Sequence, residues 1–171
     1  MNIWKKSTFN RVKKNKISDQ SFNNLIWKNK IDQKLRLNKT HLKKRYSKYF
    51  LTNSPLSLIL IGYHKKRIKI ADYGSGDQEI LFQLLNNNFI DKEIIIDSVE
   101  VPVITKLLKK SINKKNFKNI NINFYDTFNF KKRYDFVHIS DSLQYNLEWK
   151  LFLKKIVLKK PKFIILNNLT A

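Results

Sequence analysis

The spacing of apolar positions changes character partway along the chain. From Ser18 the apolar residues recur at helical spacing. Phe22, Leu25 and Ile26 share a face, then Ile31 and Leu35, then Leu42, Tyr46, Tyr49 and Phe50. This predicts two amphipathic helices, or one interrupted helix, behind a polar arm over residues 1–17. Asn53-Ser54-Pro55 is a break and a new start, because serine caps a helix and proline suits its first position. The helix over Leu56–Ile61 should end near Gly62. Beyond it, strands alternate with helices. Strands are predicted over Arg67–Tyr73, Ile94–Val99, Asn121–Tyr125, Tyr134–Ser140 and Lys162–Leu166. A helix capped by Asp77 carries Ile80, Leu81, Leu84 and Leu85. A second opens at Pro102 and carries Ile104, Leu107, Leu108 and Ile112, and a third covers Leu147–Leu158 and stops before Pro161.

Continuous apolar strands separated by helices imply a parallel sheet covered on both faces. The predicted fold is α/β: a Rossmann-like, doubly wound, mainly parallel sheet of about five strands with an N-terminal helical extension. Residues 1–54 are read as a basic arm and helical extension, and residues 55–171 as the Rossmann-like domain. The chain stops at Ala171, just after the fifth strand, where such domains usually continue, so a minimal or truncated sheet is expected.

Composition narrows the chemistry. There is no cysteine, which excludes a disulfide framework, a thiol nucleophile and a Cys-ligated zinc site. The three histidines are far apart and match no metal motif, so no metal is expected. The hydrophobic fraction of 42% is too high for a disordered tail. No apolar run is long enough to cross a bilayer, and the basic N-terminus is not followed by the apolar stretch of a secretory signal. A cytoplasmic protein is expected.

The chain has only three glycines, and two fall in one segment, Asp72-Tyr73-Gly74-Ser75-Gly76, where the first strand gives way to a helix. Glycine there permits a tight turn and close approach of a ligand to the backbone, and the following helix offers free N–H groups. Glu100 lies 24 residues after Gly76, at the expected end of the second strand. Nucleotide-binding sheets place a carboxylate about there to hold ribose hydroxyls. Asp97 competes for that role if the strand ends earlier. Asp126 follows the third strand, and Ser140 and Asp141 end the fourth. Polar groups thus recur at the carboxyl ends of four successive strands, where open α/β sheets bind ligands.

These motifs resemble those of class I S-adenosylmethionine-dependent methyltransferases. The match is closest to a methyltransferase family associated with surface-polysaccharide gene clusters. The elements carrying it are Asp72-Tyr73-Gly74-Ser75-Gly76, Glu100-Val101-Pro102, Ser140-Asp141-Ser142-Leu143-Gln144-Tyr145 and the apolar segment Phe163–Asn168. The resemblance covers about residues 55–168. It implies S-adenosyl-L-methionine as cofactor, with Asp72, Gly74, Ser75, Gly76, Glu100, Asp126 and Ser140 binding it. Gly74 and Gly76 would admit the methionine part and ribose, Asp72 would orient the loop or receive the ammonium, and Asp126 would hold the adenine amine. Asp141 and His138 are the candidate bases, and Tyr145 a candidate wall of the acceptor pocket. Gln78 stands where many of these enzymes have a third glycine, so it would crowd the cofactor or replace a backbone contact.

Charge adds a second class of partner. The formal net charge is +22, and residues 1–50 hold 15 of the 35 Lys/Arg against only Asp19 and Asp32. Lysine, asparagine and isoleucine all have A/T-rich codons, so part of this excess reflects base composition. The remainder favours anionic partners. The expected activity is methyl transfer to a small-molecule or glycan acceptor. The alternatives are an RNA methyltransferase, or a non-catalytic RNA-binding module that uses the basic N-terminal segment with Trp4, Phe9 and the helical aromatics. An NAD-dependent oxidoreductase is disfavoured because Glu79 replaces the last glycine of the dinucleotide fingerprint. The methyl acceptor and oligomeric state are not specified.

Overall fold

The computed structural model describes residues 25–44, 55–86, 91–112 and 117–167. The arm, the predicted helical turns around Tyr46, Tyr49 and Phe50, and the aromatic residues Trp4, Phe9 and Phe22 lie outside the described residues.

Five helices and five strands are described. Helix α1 spans Leu25–Lys44 and α2 spans Pro55–Gly62, followed by strand β1 (Arg67–Tyr73) and helix α3 (Glu79–Asn86). Then come β2 (Glu93–Val99), α4 (Pro102–Ser111), β3 (Ile120–Tyr125), β4 (Phe136–Ser140), α5 (Trp149–Val157) and β5 (Phe163–Asn167). Pro55 and Pro102 each occupy the first helical position, where a missing N–H costs nothing. Lys109 and Lys110 lie in the last turn of α4, facing the negative end of its dipole.

The strands form one sheet in the order β3-β2-β1-β4-β5, and every pair is parallel. β1 sits at the centre, paired along its whole length with β2 and over Ile70–Tyr73 with β4. The fold is therefore the expected α/β, Rossmann-like arrangement. β4 starts two residues later than predicted, and a short 3-10 turn over Leu143–Tyr145 precedes α5.

Side-chain alternation sends two apolar sets to opposite faces. On one face Ile68, Ile70, Ile94, Ile96, Ile122 and Phe136 pack with residues of α1 to α4. On the other, Ala71, Val137 and Ile139 pack with Phe152 and Ile156 of α5, and Phe128 and Phe130 close against them. Ile31 and Leu35 of α1 are 2% and 1% exposed and belong to the first set. Fully burying one such side chain stabilises the fold by about 1.5–3 kcal/mol. Helix α1 is thereby fixed against the sheet domain, and its position bears directly on the loop after β1.

Candidate functional site

Parallel pairing brings the carboxyl ends of all five strands to one edge. The chain goes from β1 to β2 on one side, and later to β4 on the other. Open α/β sheets bind ligands at this reversal of strand order.

The loop leaving β1 is built on left-handed residues. Gly74 has φ +74° and Gly76 φ +41°. The Gly74 amide donates to the Val99 carbonyl at 2.9 Å, tying the loop to the end of β2. A Cβ at Gly74 would collide with Cβ and Oγ of Ser142 and lie 3.2 Å from the Ser140 carbonyl. Ser142 itself donates to the Tyr73 carbonyl at 3.0 Å. Glycine is thus required at 74 because the chain after β4 crosses there. Gly74→Ala combines left-handed strain with overpacking and should cost about 2–4 kcal/mol. Thermal denaturation should show a fall of about 10 °C, partly restored by adding Ser142→Gly. An unchanged melting temperature would contradict this crossing.

Gln78 also has positive φ, +63°, so it keeps the backbone shape a third glycine would give. Its side chain is 1% exposed. Nε2 donates to Ser75 Oγ at 2.7 Å and Ser98 Oγ at 3.0 Å, and the two hydroxyls lie 2.6 Å apart. The amide therefore replaces a backbone contact by fastening the loop to β2. Gln78 Oε1 is buried and accepts no hydrogen bond among the described residues.

Glu100 immediately follows β2 and reaches the same loop. Its Oε1 accepts from the Gly76 amide at 2.6 Å and its Oε2 from the Val101 amide at 3.0 Å. Burial pushes its carboxyl up to about 7, against the two amides, which favour the ionised form. Asp97 is committed elsewhere. It is 2% exposed within β2, where Oδ1 accepts from Asn123 at 3.0 Å. Oδ2 accepts from Lys132 Nζ at 2.6 Å and Tyr134 OH at 2.9 Å. Burial, with the Asp97 carboxylate beside it, pushes the Tyr134 phenol well above its ordinary value. Burial works against the Lys132 ammonium, but its bonds to Asp97 and Tyr125 prevail and hold its pKa above the usual lysine value. Of these two acids, Glu100, three residues further on, is the one bonded to the glycine loop.

His138 lies inside β4, 4% exposed, with both ring nitrogens engaged. Nδ1 is 2.8 Å from Asp72 Oδ1, and Nε2 is 3.0 Å from Asn167 Nδ2. In that amide orientation Nε2 accepts from Asn167 and Nδ1–H donates to the carboxylate. The ring joins the ends of β1, β4 and β5. Asp141 lies beyond β4, exposed, with φ +48°. Its amide donates to the Asn167 carbonyl at 3.3 Å, and its carbonyl accepts from Gln144 at 3.0 Å. Ser140 pairs with Asn167 in the sheet, and Asp126 is exposed just past β3.

Helix α1 borders the loop. Ile31 Cδ1 is 3.4 Å from where a Gly76 Cβ would be, Asn38 donates to the Asp77 carbonyl at 3.2 Å, and Lys34 lies 3.5 Å from the Asp77 carboxylate. Ser98, Ser142 and these α1 residues were not singled out as site residues from the sequence. The Ile31–Leu35 face and the Ser140–Tyr145 segment were the available signals. Among the described residues no group of His, Asp and Glu is placed to hold a metal ion, and no helix is long and apolar enough to cross a membrane.

No protein family and no curated protein matches this chain. Among solved structures, one match is a protein assigned as a sarcosine dimethylglycine methyltransferase from Galdieria sulphuraria. It is 22% identical over 52% of this chain, with a TM-score of 0.35. Another is coclaurine N-methyltransferase bound to N-methylheliamine and SAH, 16% identical over 61% of this chain, with a TM-score of 0.37. In both cases the match spans 33% of the neighbour's length. The α/β architecture stated above rests on the strand order and register of this chain.

Proposed function

We propose that this chain binds S-adenosyl-L-methionine at the β1–β2 edge and serves methyl transfer to a small-molecule or glycan acceptor. The observation that carries this reading is the Glu100 carboxylate, held 2.6 Å from the Gly76 amide at the mouth of the glycine loop. Each carboxylate oxygen keeps lone pairs beyond its bond to a backbone amide, so Glu100 fits a vicinal diol such as ribose. Gly76 fits a ligand lying against the backbone. At Gly74 the corresponding space is taken by Ser142, so the loop after β4 shares in shaping the site.

The bound cofactor would supply an already activated sulfonium methyl group. The residues here have the tasks of orienting and excluding water. Glu100 would orient the ribose and Asp126 the adenine amine, Ser140 would border the site from the end of β4, and Ser75 would hold the loop from within through Ser98 and Gln78. Asp72, braced by His138, would hold the loop end. Any proton from a hydroxyl acceptor would go to Asp141, which is exposed just past β4, whereas His138 is buried within the strand. Tyr145 and Trp149, 45% and 42% exposed just past β4, offer amphipathic ring faces to an acceptor such as a sugar.

S-adenosylhomocysteine at a hundred times its dissociation constant should stabilise the protein by about 2.7 kcal/mol. That is a rise in melting temperature of roughly 5–10 °C, with NADH producing none. Absence of any shift with S-adenosylhomocysteine and S-adenosylmethionine would refute this reading.

A further inference from the structure

The opposite edge of the sheet, where the strands begin, holds a cleft of about 740 Å³ lined by eight Lys/Arg side chains and a single acid, Asp135. Its origin is readable in the chain. A basic run stands just ahead of each of three strands: Lys65-Lys66-Arg67 at β1, Lys131-Lys132-Arg133 before β4, and Lys159-Lys160-Pro161-Lys162 before β5. β1, β4 and β5 are consecutive in the sheet and parallel, so the three runs converge at one edge. Lys132 turns away to Asp97. Lys65 is paired with Asp135 at 2.6 Å, and Arg67 with Glu93 at 3.3 Å. Among the described residues, Lys69, Lys131, Arg133, Lys159, Lys160 and Lys162 have no carboxylate partner and remain exposed.

We propose that this cleft binds the phosphodiester backbone of single-stranded nucleic acid. Six cations without an acidic partner, spread over three loops, exceed what one phosphate neutralises and suit a chain of them. The surface is concave, which disfavours a flat membrane. Phe163 distinguishes a nucleic acid from an acidic glycan. It directly follows Lys162, its ring stacks on Phe136 at 5.3 Å and 12°, and it stays 41% exposed. Phe163 lies outside the residues that line the cleft, on the sheet face of Phe136 and Tyr63, so a strand bound in the cleft would turn about the edge strand β5 to stack a base on it. This edge is opposite the glycine loop, and the proposal does not depend on methyl transfer.

The test is fluorescence anisotropy with a labelled oligouridylate of about 12 nucleotides, a length within the usual site sizes of single-strand binders. The full chain is used, so the basic residues 1–24 are common to every variant. The triple variant Arg133→Glu, Lys160→Glu, Lys162→Glu should bind at least tenfold more weakly at about 100 mM salt, with its log–log salt slope shallower by roughly 2. A triple of equal charge change on α4, Lys106→Glu, Lys109→Glu, Lys110→Glu, should lose less than about threefold. Phe163→Ala, checked for parental melting, should weaken oligouridylate several-fold and leave heparin unchanged. Equal losses for the two triples would overturn the proposal. So would capture of heparin or phosphatidylserine vesicles through the cleft without oligouridylate.

Discussion

Replacing Glu100 by glutamine should abolish most binding of S-adenosylhomocysteine while making the protein relatively more stable as the pH rises. The two effects share a cause. Burial raises the Glu100 carboxyl to about 7, whereas in the unfolded chain it ionises near 4.5. The folded state therefore holds this proton more tightly than the unfolded state. Its contribution to stability is complete below pH 4.5 and is lost as the pH rises through 7. Glutamine does not titrate. It keeps an acceptor for the Gly76 amide and loses the one for Val101. Between pH 4.5 and 8 the stability difference should move in the variant's favour by about 3 kcal/mol, or roughly 6–12 °C in melting temperature. Two charge-assisted bonds to ribose hydroxyls, each worth about 1.5–3 kcal/mol, would meanwhile be weakened, so affinity should fall on the order of a hundredfold. Parental affinity should rise as the pH passes 7, where the carboxylate becomes a full acceptor. Calorimetric titration at pH 6 and pH 8 checks this. A variant that binds normally at both would remove Glu100 from the site.

Asp97→Ala should act in the opposite sense, costing stability without a direct effect on ligand contact. The carboxylate accepts from Asn123, Lys132 and Tyr134 inside the sheet. Removing it leaves the Tyr134 hydroxyl and the Asn123 amide without an acceptor, on residues that are buried or partly so. The Lys132 side chain is 40% exposed and can turn to water, so its share of the loss is small. The expected cost is about 2–4 kcal/mol, measured by urea denaturation. Asp97→Asn, which keeps one acceptor, should cost less. A loss of under about 0.5 kcal/mol for the alanine variant would show that this cluster does not hold the β3–β4 connection to the sheet.

The contrast between these two acids shows what could be read along the chain. The strands were legible because each is a short apolar run that periodicity marks directly. The glycine loop was legible because a chain with three glycines placed two of them at one strand end. Glu100 and Asp97 were rival readings because they are three residues apart, and only strand length separates the sheet interior from its edge. The partners that decide between them lie far along the chain: Lys132 and Tyr134 are 35 and 37 residues from Asp97. The same distance hid Ser142 over Gly74 and the bracing of Asp72 by His138, 66 residues apart. Gln78 was legible as a departure, but not its resolution, which needs Ser98 on the neighbouring strand. Nothing local marked Ile31 as a neighbour of Gly76, because that contact depends on how α1 packs.

The central place of β1 also sets an order of assembly. Its partner on one side, β2, follows after one helix, and β3 after another, so that half of the sheet closes through short loops. Its partner on the other side, β4, pairs Phe136 with Ile70, across a span that contains the whole first half. Closing the longer loop costs more chain entropy before it is rewarded. On a growing polypeptide the β1–β2–β3 half, with Glu100 and the glycine loop, can form while β4 and β5 are still being made. In that interval the β4-facing edge of β1 is an open strand edge, the point of greatest exposure to mispairing with another chain.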